Sequence, residues 1–430
     1  MSSSELIHKE GEYSTHNYHP LPIVFDDIVK NGETGAVKVT NPEGKEFYDF
    51  LSAYSAQNMG HCHPKLVKIM QEQCTKMVLS SRAFHNSVFP VFCEKITKFF
   101  GYDLVVPMNS GVEAVETAYK LCVAHMQRKV PEKDRLFVCC EGCFHGRSVL
   151  AISMSDDPDC FKGFGPAVPG ILKVPYNDLS ALRAVFEEHG DRIVGFIGEP
   201  VQGEAGVFVP DSDYWPGVRA LCDEFDVLLI ADEIQSGCCR CGEPLAISNW
   251  GVRPDIVTIA KAISGGMIPL SAVLCSKEIG AAFTPGTHGS TYGGNPLACA
   301  IGIGSLDIME QEDLANKAKH IGERFRAFMT NLAKECPFIT EVRGLGALNA
   351  VVIEPLENGL TATDVCLCLA DAGLLAKPTH SHIIRFAPPL VITDEELDEC
   401  LEMIKNVFIK MPTLKSRAEV PLADAYYGEH

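Results

Sequence analysis

The stretch Ile256-Val257-Thr258-Ile259-Ala260-Lys261-Ala262-Ile263-Ser264-Gly265-Gly266 decides the fold. Its first part is apolar and β-branched, the pattern of a strand covered on both faces, and a lysine follows directly. Upstream, Val227-Leu228-Leu229-Ile230-Ala231 is a second such run, ending in Asp232-Glu233-Ile234-Gln235. A lysine ending one strand and an aspartate ending another suit a pyridoxal phosphate site. The lysine amine would form a Schiff base with the cofactor aldehyde, and the carboxylate would hold the ring nitrogen protonated. Amino-group transfer is the chemistry this pair predicts.

Similar runs flank these two. Leu136-Phe137-Val138-Cys139, Ile171-Leu172-Lys173-Val174, Ile193-Val194-Gly195-Phe196-Ile197 and Ser271-Ala272-Val273-Leu274-Cys275 read as strands, with amphipathic stretches at 178–189 and 214–225 between them. This alternation predicts an α/β domain with a mostly parallel central sheet. The ends differ. Residues 36–50 alternate like an antiparallel meander with a turn at Asn41-Pro42-Glu43-Gly44, 312–334 reads as one long helix, and 338–411 mixes strands and helices. The expected organisation is an N-terminal segment (1–54) and a C-terminal part (304–411) forming one smaller α+β domain. This packs on a large cofactor-binding domain (55–303). A tail (412–430), cut off by Pro412, is expected to lie across a partner subunit.

The 430 residues carry a net charge of −19, which disfavours nucleic acid or an anionic membrane as partner. No apolar run approaches the roughly 18 residues that span a bilayer. The start has no apolar core or Arg-rich amphipathic pattern, so the chain reads as cytoplasmic. In that compartment the 18 cysteines are expected to be reduced and mostly packed in the core. Cys140/Cys143 and Cys238/Cys241 have Cys-x-x-Cys spacing, but the pairs lie far apart. His61-Cys62-His63-Pro64 has three adjacent donor residues that cannot easily converge on one ion, so it reads as a structural turn. No metal is expected.

Ser110-Gly111-Val112-Glu113 is a capping box opening a helix. Its glycine frees backbone N–H groups for a phosphate, which the helix dipole favours. Ser290-Thr291-Tyr292-Gly293-Gly294 offers hydroxyls on a Gly-rich loop, again suited to phosphate. Phe144 could stack on a flat ring and Arg147 could hold a carboxylate with a bidentate fork. Arg385 is a charge inside the apolar run Ile383-Ile384-Arg385-Phe386. Either arginine could equally be a salt-bridged structural residue. Glu199 and Glu204 follow a buried strand, and either could pair with an arginine near the site.

The joint order of these motifs resembles the fold-type I, class III pyridoxal-phosphate aminotransferases, from about residue 12 to 411. Asp232-Glu-Ile-Gln235, Lys261-Ala-Ile-Ser-Gly-Gly266 and Gly289-Ser-Thr-Tyr-Gly-Gly-Asn-Pro296 carry the class. Within it, His16-Asn-Tyr-His-Pro-Leu-Pro22, Leu51-Ser-Ala-Tyr-Ser-Ala56, Leu375-Ala-Lys-Pro-Thr-His380 and Ile383-Ile-Arg-Phe-Ala-Pro-Pro-Leu390 resemble the ornithine aminotransferases.

The resemblance implies a role for each residue. Lys261 bonds the cofactor and then shuttles protons, while Asp232 pairs with the ring nitrogen. Gln235 bonds the phenolic oxygen, Phe144 stacks on the ring, and Ser110, Gly111 and Val112 hold the phosphate. Ser290 and Thr291 would reach the phosphate of a neighbouring subunit, making the active unit a homodimer with its site at the interface. Tyr18 and Tyr54 would orient L-ornithine with its δ-amino group inward, and Arg147 would hold its distant carboxylate. Arg385 would bind the α-carboxylate of 2-oxoglutarate and pair with Glu204 in the ornithine half-reaction.

Phe144-His145-Gly146-Arg147 is shared with acetylornithine aminotransferases, so acetylornithine or 4-aminobutyrate transfer on the same fold is the alternative; Tyr54 favours ornithine. Cys238, Cys239 and Cys241 depart from the animal enzymes, which predicts sensitivity to oxidation beside Asp232.

Overall fold

The computed structural model describes residues 1–127 and 129–427. Its strands are β1 (Asp27–Asn31), β2 (Thr34–Thr40), β3 (Glu46–Asp49), β4 (Leu104–Met108), β5 (Leu136–Cys140), β6 (Ile171–Val174), β7 (Ile193–Gly198), β8 (Leu228–Asp232), β9 (Ile256–Ile259), β10 (Ser271–Cys275), β11 (Ile339–Leu345), β12 (Leu348–Ile353), β13 (Leu374–Leu375), β14 (Lys377–Thr379) and β15 (Ile383–Phe386).

The central sheet has seven strands in the order β4-β10-β9-β8-β7-β5-β6. Pairings from β9 through β8, β7 and β5 to β6 are parallel, and β10 alone runs against both of its neighbours. The mostly parallel α/β sheet expected from the apolar runs is present. Strands β5, β7, β9 and β10 are buried at every position, as strands covered on both faces must be. The helices Leu179–His189 and Tyr214–Phe225 fall on the expected amphipathic stretches.

Two smaller sheets take the ends of the chain. One has the order β1-β2-β3-β13, so that Leu374-Leu375 from the C-terminal part pairs in parallel with Tyr48-Asp49 from the N-terminal part. The other is the antiparallel β11-β12-β15-β14. The Asn41–Gly44 turn closes by a Gly44 N–H to Asn41 carbonyl bond of 2.9 Å. Strands β1 and β4 escape the sequence reading because both are edge strands; Pro107 in β4 is tolerated only at such an edge. Phe92, Phe196, Trp215, Phe325 and Phe386 belong to one continuous hydrophobic cluster, so the central sheet and the terminal parts share a core.

The C-terminal segment, expected to reach a partner, folds back on its own chain. Met411, Leu414, Val420 and Ala423 are buried, and Asn358 donates to the carbonyls of Met411 and Leu414 at 3.0 and 2.8 Å. Arg417 meets the buried Asp364 carboxylate at 3.0 Å, and Tyr426 stacks on His19 at 4.3 Å between ring centroids. Among the described residues no helix is long and apolar enough to cross a membrane.

Candidate active site

A cleft of about 520 Å³ opens at the carboxyl ends of β8 and β9, where parallel sheets place their ligands. Its walls include Ser110, Gly111, Val112, Phe144, His145, Glu199, Asp232, Gln235 and Lys261. The strand ends, the helix start and the aromatic turn are thus brought to one cavity.

Lys261 leaves β9 with a left-handed φ of 50° and begins a short 3-10 turn through Ser264. This sharp change of direction takes the side chain off the strand and into the cleft. Among the described residues its amine has no hydrogen-bond or ion-pair partner. Burial lowers its pKa, and Glu204 and Asp232 oppose that only in part. A desolvated amine with a lowered pKa is a competent nucleophile.

Asp232 ends β8 and is fixed on both oxygens. Oδ1 accepts from the Thr258 hydroxyl at 3.0 Å and from the Ile234 N–H at 3.1 Å. Oδ2 takes His145 Nδ1 at 2.6 Å. Burial penalises a charge on His145, but the neighbouring Cys143 and Asp232 outweigh it and hold the imidazole well above its ordinary range. Among the described residues His145 Nε2 is buried without a hydrogen-bond partner. Glu199 accepts from the Phe144 N–H at 2.9 Å and the Gly203 N–H at 3.3 Å, and burial pushes its carboxyl up to about 7.

The capping box forms as the sequence predicts: Ser110 Oγ accepts from Glu113 N–H, and the Glu113 carboxylate from Ser110 N–H at 2.7 Å. Gly111 and Val112 head the helix, so their N–H groups lack intrahelical acceptors. A Cβ on Gly111 would stand 3.1 Å from Ile234 Cδ1, a tight contact in which the isoleucine would have to give way.

A polar cluster adjoins the cleft through Gln235; its other members, Arg385, Glu204 and Tyr54, do not line the cleft itself. Arg385 sits on β15 between β12 and β14, and is 1% exposed. Its Nη1 meets Glu204 Oε1 at 2.7 Å, while among the described residues Nη2 is buried without a hydrogen-bond partner. Burial would raise the Glu204 pKa, but Arg385 and the hydrogen bonds from Gln235 and Arg385 prevail and hold it below the usual carboxylate range. Gln235 is tied into this pair: its amide donates to Glu204 at 2.9 Å and accepts from Arg385 at 3.3 Å.

The Tyr54 ring faces the same guanidinium, 5.1 Å from centroid to Arg385 Cζ. Burial raises the Tyr54 phenol pKa, with Glu204 and Tyr18 adding to it against Arg385. The phenol therefore remains a hydrogen-bond donor. Tyr54 lies in a run of four left-handed residues, Ser52 to Ser55, with φ of 50, 45, 60 and 70°. Such backbone costs roughly 1–2 kcal/mol per non-glycine residue and survives only where its surroundings over-determine it. No local signal in the sequence announces it.

The remaining expected residues stand farther out. Arg147 is exposed, 5.6 Å from the Phe144 ring, with one contact to Cys160 Sγ at 3.3 Å. Among the described residues it has no carboxylate partner. Tyr18 is exposed and does not line the cleft. Ser290 accepts from Asn109 Nδ2 at 2.8 Å, and Thr291 is exposed; neither lines this chain's own cleft.

Cys238, Cys239 and Cys241 are buried, and burial pushes all three thiols up, Cys239 to about 12. Thiolate is the reactive form, so the expected oxidation sensitivity beside Asp232 is not supported. Cys140 and Cys143 are buried too. In the His61-Cys62-His63 run, His61 meets Asp49 and His63 meets Glu312, on opposite errands. Among the described residues no group of three or more His, Cys, Asp or Glu is placed to hold a metal. Sequence reasoning missed Thr258, which supports Asp232 from inside an apolar strand, and the Asp49–His61 pair.

The cleft fits pyridoxal phosphate on its own observations. It joins an unpartnered lysine amine, a fixed carboxylate, an aromatic ring and a helix start with free N–H groups. Lys261 would hold the aldehyde carbon, Asp232 the ring nitrogen, Phe144 the ring face, and Ser110 to Val112 the phosphate.

Comparison with known proteins agrees. The family model "Aminotransferase class-III" matches residues 22–408. An ornithine aminotransferase of Emericella nidulans is 48% identical, over 97% of this chain and 93% of that protein. A mitochondrial one of Arabidopsis thaliana is also 48% identical, over 96% of this chain and 87% of that protein. Among solved structures, an ornithine aminotransferase of Toxoplasma gondii superposes with a TM-score of 0.92 at 36% identity, covering 96% of each chain. An acetylornithine aminotransferase of Elizabethkingia anophelis gives 0.85 at 43% identity, covering 96% of this chain and all of that one. The fold, the cleft and these matches together show that this chain belongs to the class-III aminotransferases, which are pyridoxal-phosphate enzymes.

Proposed function

We infer that this chain moves the δ-amino group of L-ornithine to 2-oxoglutarate. The products are L-glutamate 5-semialdehyde, which cyclises to pyrroline-5-carboxylate, and L-glutamate. The observation that carries the reading is the Arg385–Glu204 pair beside Tyr54. One pocket must accept a cationic amine and a dicarboxylate by turns. A buried arginine neutralised by a glutamate serves the first, and the same arginine released from it serves the second, with no unpaired buried charge in either state.

The bound cofactor supplies an electron sink for the carbon that loses its proton. The chain does the rest. Phe144 and Asp232 fix the ring, and the Lys261 amine accepts and returns the proton at that carbon. Tyr54 and Tyr18 orient ornithine, and Arg147, with no carboxylate partner of its own, holds the distant carboxylate. Glu204 covers Arg385 while ornithine is bound and turns aside when the dicarboxylate enters.

The active unit of this reading is a homodimer. Ser290 and Thr291 do not line their own cleft, and Met77, Val78, Phe84 and Val91 leave large apolar side chains exposed on a single chain. Both fit a partner surface that completes the phosphate site.

Ornithine labelled with ¹⁵N at the δ position tests the transfer. The label is expected in glutamate; label retained in the oxidised product would mean α-transfer and contradict the reading. The Phe144-His145-Gly146-Arg147 segment is shared with the acetylornithine alternative and does not discriminate between the two.

A further inference from the structure

The left-handed run at Ser52 to Ser55 needs a cause outside itself. Two residues that the reaction does not use provide it. Asp49 ends β3 and is almost fully buried. Its Oδ1 accepts from the N–H groups of Leu51 and Ser52, both at 2.9 Å, and so fixes the entry to the turn. Its Oδ2 is held by His61 Nε2 at 2.8 Å. His61 is anchored in turn by a two-bond bridge to Ala36, both bonds 2.8 Å. The backbones meet there so closely that a Cβ on Gly35 would lie 1.9 Å from the Met59 carbonyl. Downstream, the Ser52 hydroxyl donates to the Ala387 carbonyl at 2.7 Å, close in sequence to Arg385.

Taking these contacts together, we propose that Asp49 and His61 are positioning residues for amino-donor selection, holding the strained turn that presents the Tyr54 phenol beside Arg385. The proposal rests on the reading that Tyr54 faces the amine substrate. The carboxylate accepts on both sides, and among the described residues the only side chain that donates to it is His61. Without that donor, Asp49 keeps only its two backbone bonds at Oδ1, and the turn can relax toward ordinary backbone, withdrawing Tyr54. Arg385 is held independently by its own strand pairing. Loss of the pair therefore damages the amine arm and spares the dicarboxylate arm.

The test uses the cofactor-loaded full chain and two single-turnover half-reactions, one with L-ornithine and one with L-glutamate. His61 is the residue to change, because it lies nearer the surface than Asp49. His61→Ala is expected to lower the ornithine rate constant about tenfold and the glutamate one less than about twofold. His61→Gln, whose amide can donate to Asp49, is expected to recover most of the loss. In a Tyr54→Ala background, His61→Ala is expected to add less than about twofold, since both changes act through one side chain. Equal losses in both half-reactions, or a full further loss in the Tyr54→Ala background, would overturn the proposal. A wild-type enzyme inert to ornithine but reactive with N-acetylornithine would instead sink the substrate reading. The same double-mutant comparison run with that amine would then decide the positioning role.

Discussion

Arg385 Nη1 meets Glu204 Oε1 at 2.7 Å while Nη2, buried beside it, has no hydrogen-bond partner among the described residues. The guanidinium is neutralised in charge but half satisfied in hydrogen bonding. A buried donor left open costs about 1–3 kcal/mol, which an incoming carboxylate would recover. Gln235 clamps both members of the pair, so the cluster is set for exchange of one anion for another.

Removing Glu204 leaves Arg385 free to take the α-carboxylate of ornithine and draw its α-amino group inward. Glu204→Ala is expected to lower δ-transfer about tenfold or more and to quicken the glutamate half-reaction. Half-reaction rates with the two amino acids check this, and an unchanged ratio would argue against the switch.

His145 is the sole partner of Asp232 Oδ2 that the structure shows, at 2.6 Å. His145→Phe removes that bond and is expected to weaken cofactor binding about tenfold, the usual scale for losing a hydrogen bond to a buried charge. Titration of the cofactor-free protein, followed by absorbance, reads the change.

Burial pushes Glu199 and Glu233 up to about 7. In the unfolded chain each loses its proton near 4.5. Between those values the folded state holds more protons, so these two groups make stability fall as pH rises through that window and level off above it. Glu199→Gln keeps a neutral group there and removes one of the two contributions. Thermal midpoints from pH 5 to 8 are expected to decline less steeply in the variant, by an amount up to on the order of 3 kcal/mol across the window.

The C-terminal segment buries Leu414 and Val420 and ion-pairs Arg417 with Asp364. Burying side chains of this size contributes about 1.5–3 kcal/mol each, offset in part by the cost of ordering the segment. Truncation after Met411 is expected to lower the thermal midpoint by roughly 2–4 °C. It also frees His19, next to Tyr18, from its stack on Tyr426. An unchanged midpoint would show that the docking is energetically idle.

Lys261 and Asp232 were legible because each ends a short apolar run, and a charge at the end of a buried strand has few bland explanations. The capping box at Ser110 was legible for the same local reason. Edge strand β4 was hidden by Pro107, and the left-handed run around Tyr54 by its dependence on Asp49, His61 and Ala387, the last far away in sequence. Gln235 sits where its motif predicts, yet its tie to Arg385 crosses 150 residues and has no local trace. The C-terminal segment read as a tail without packing on its own chain because short helices with scattered apolar residues carry little periodicity. Its order comes from the surface it covers.

The central claim is selection of ornithine as amino donor, and single-turnover spectra test it most directly. Cofactor-loaded enzyme, without 2-oxoglutarate, would be mixed separately with L-ornithine, N-acetylornithine and 4-aminobutyrate. The account predicts rapid conversion of the cofactor to its aminated form with L-ornithine, trapping of pyrroline-5-carboxylate by an aromatic amine, and slow or no reaction with the others. A spectrum that ignores ornithine and responds to N-acetylornithine or 4-aminobutyrate would contradict it.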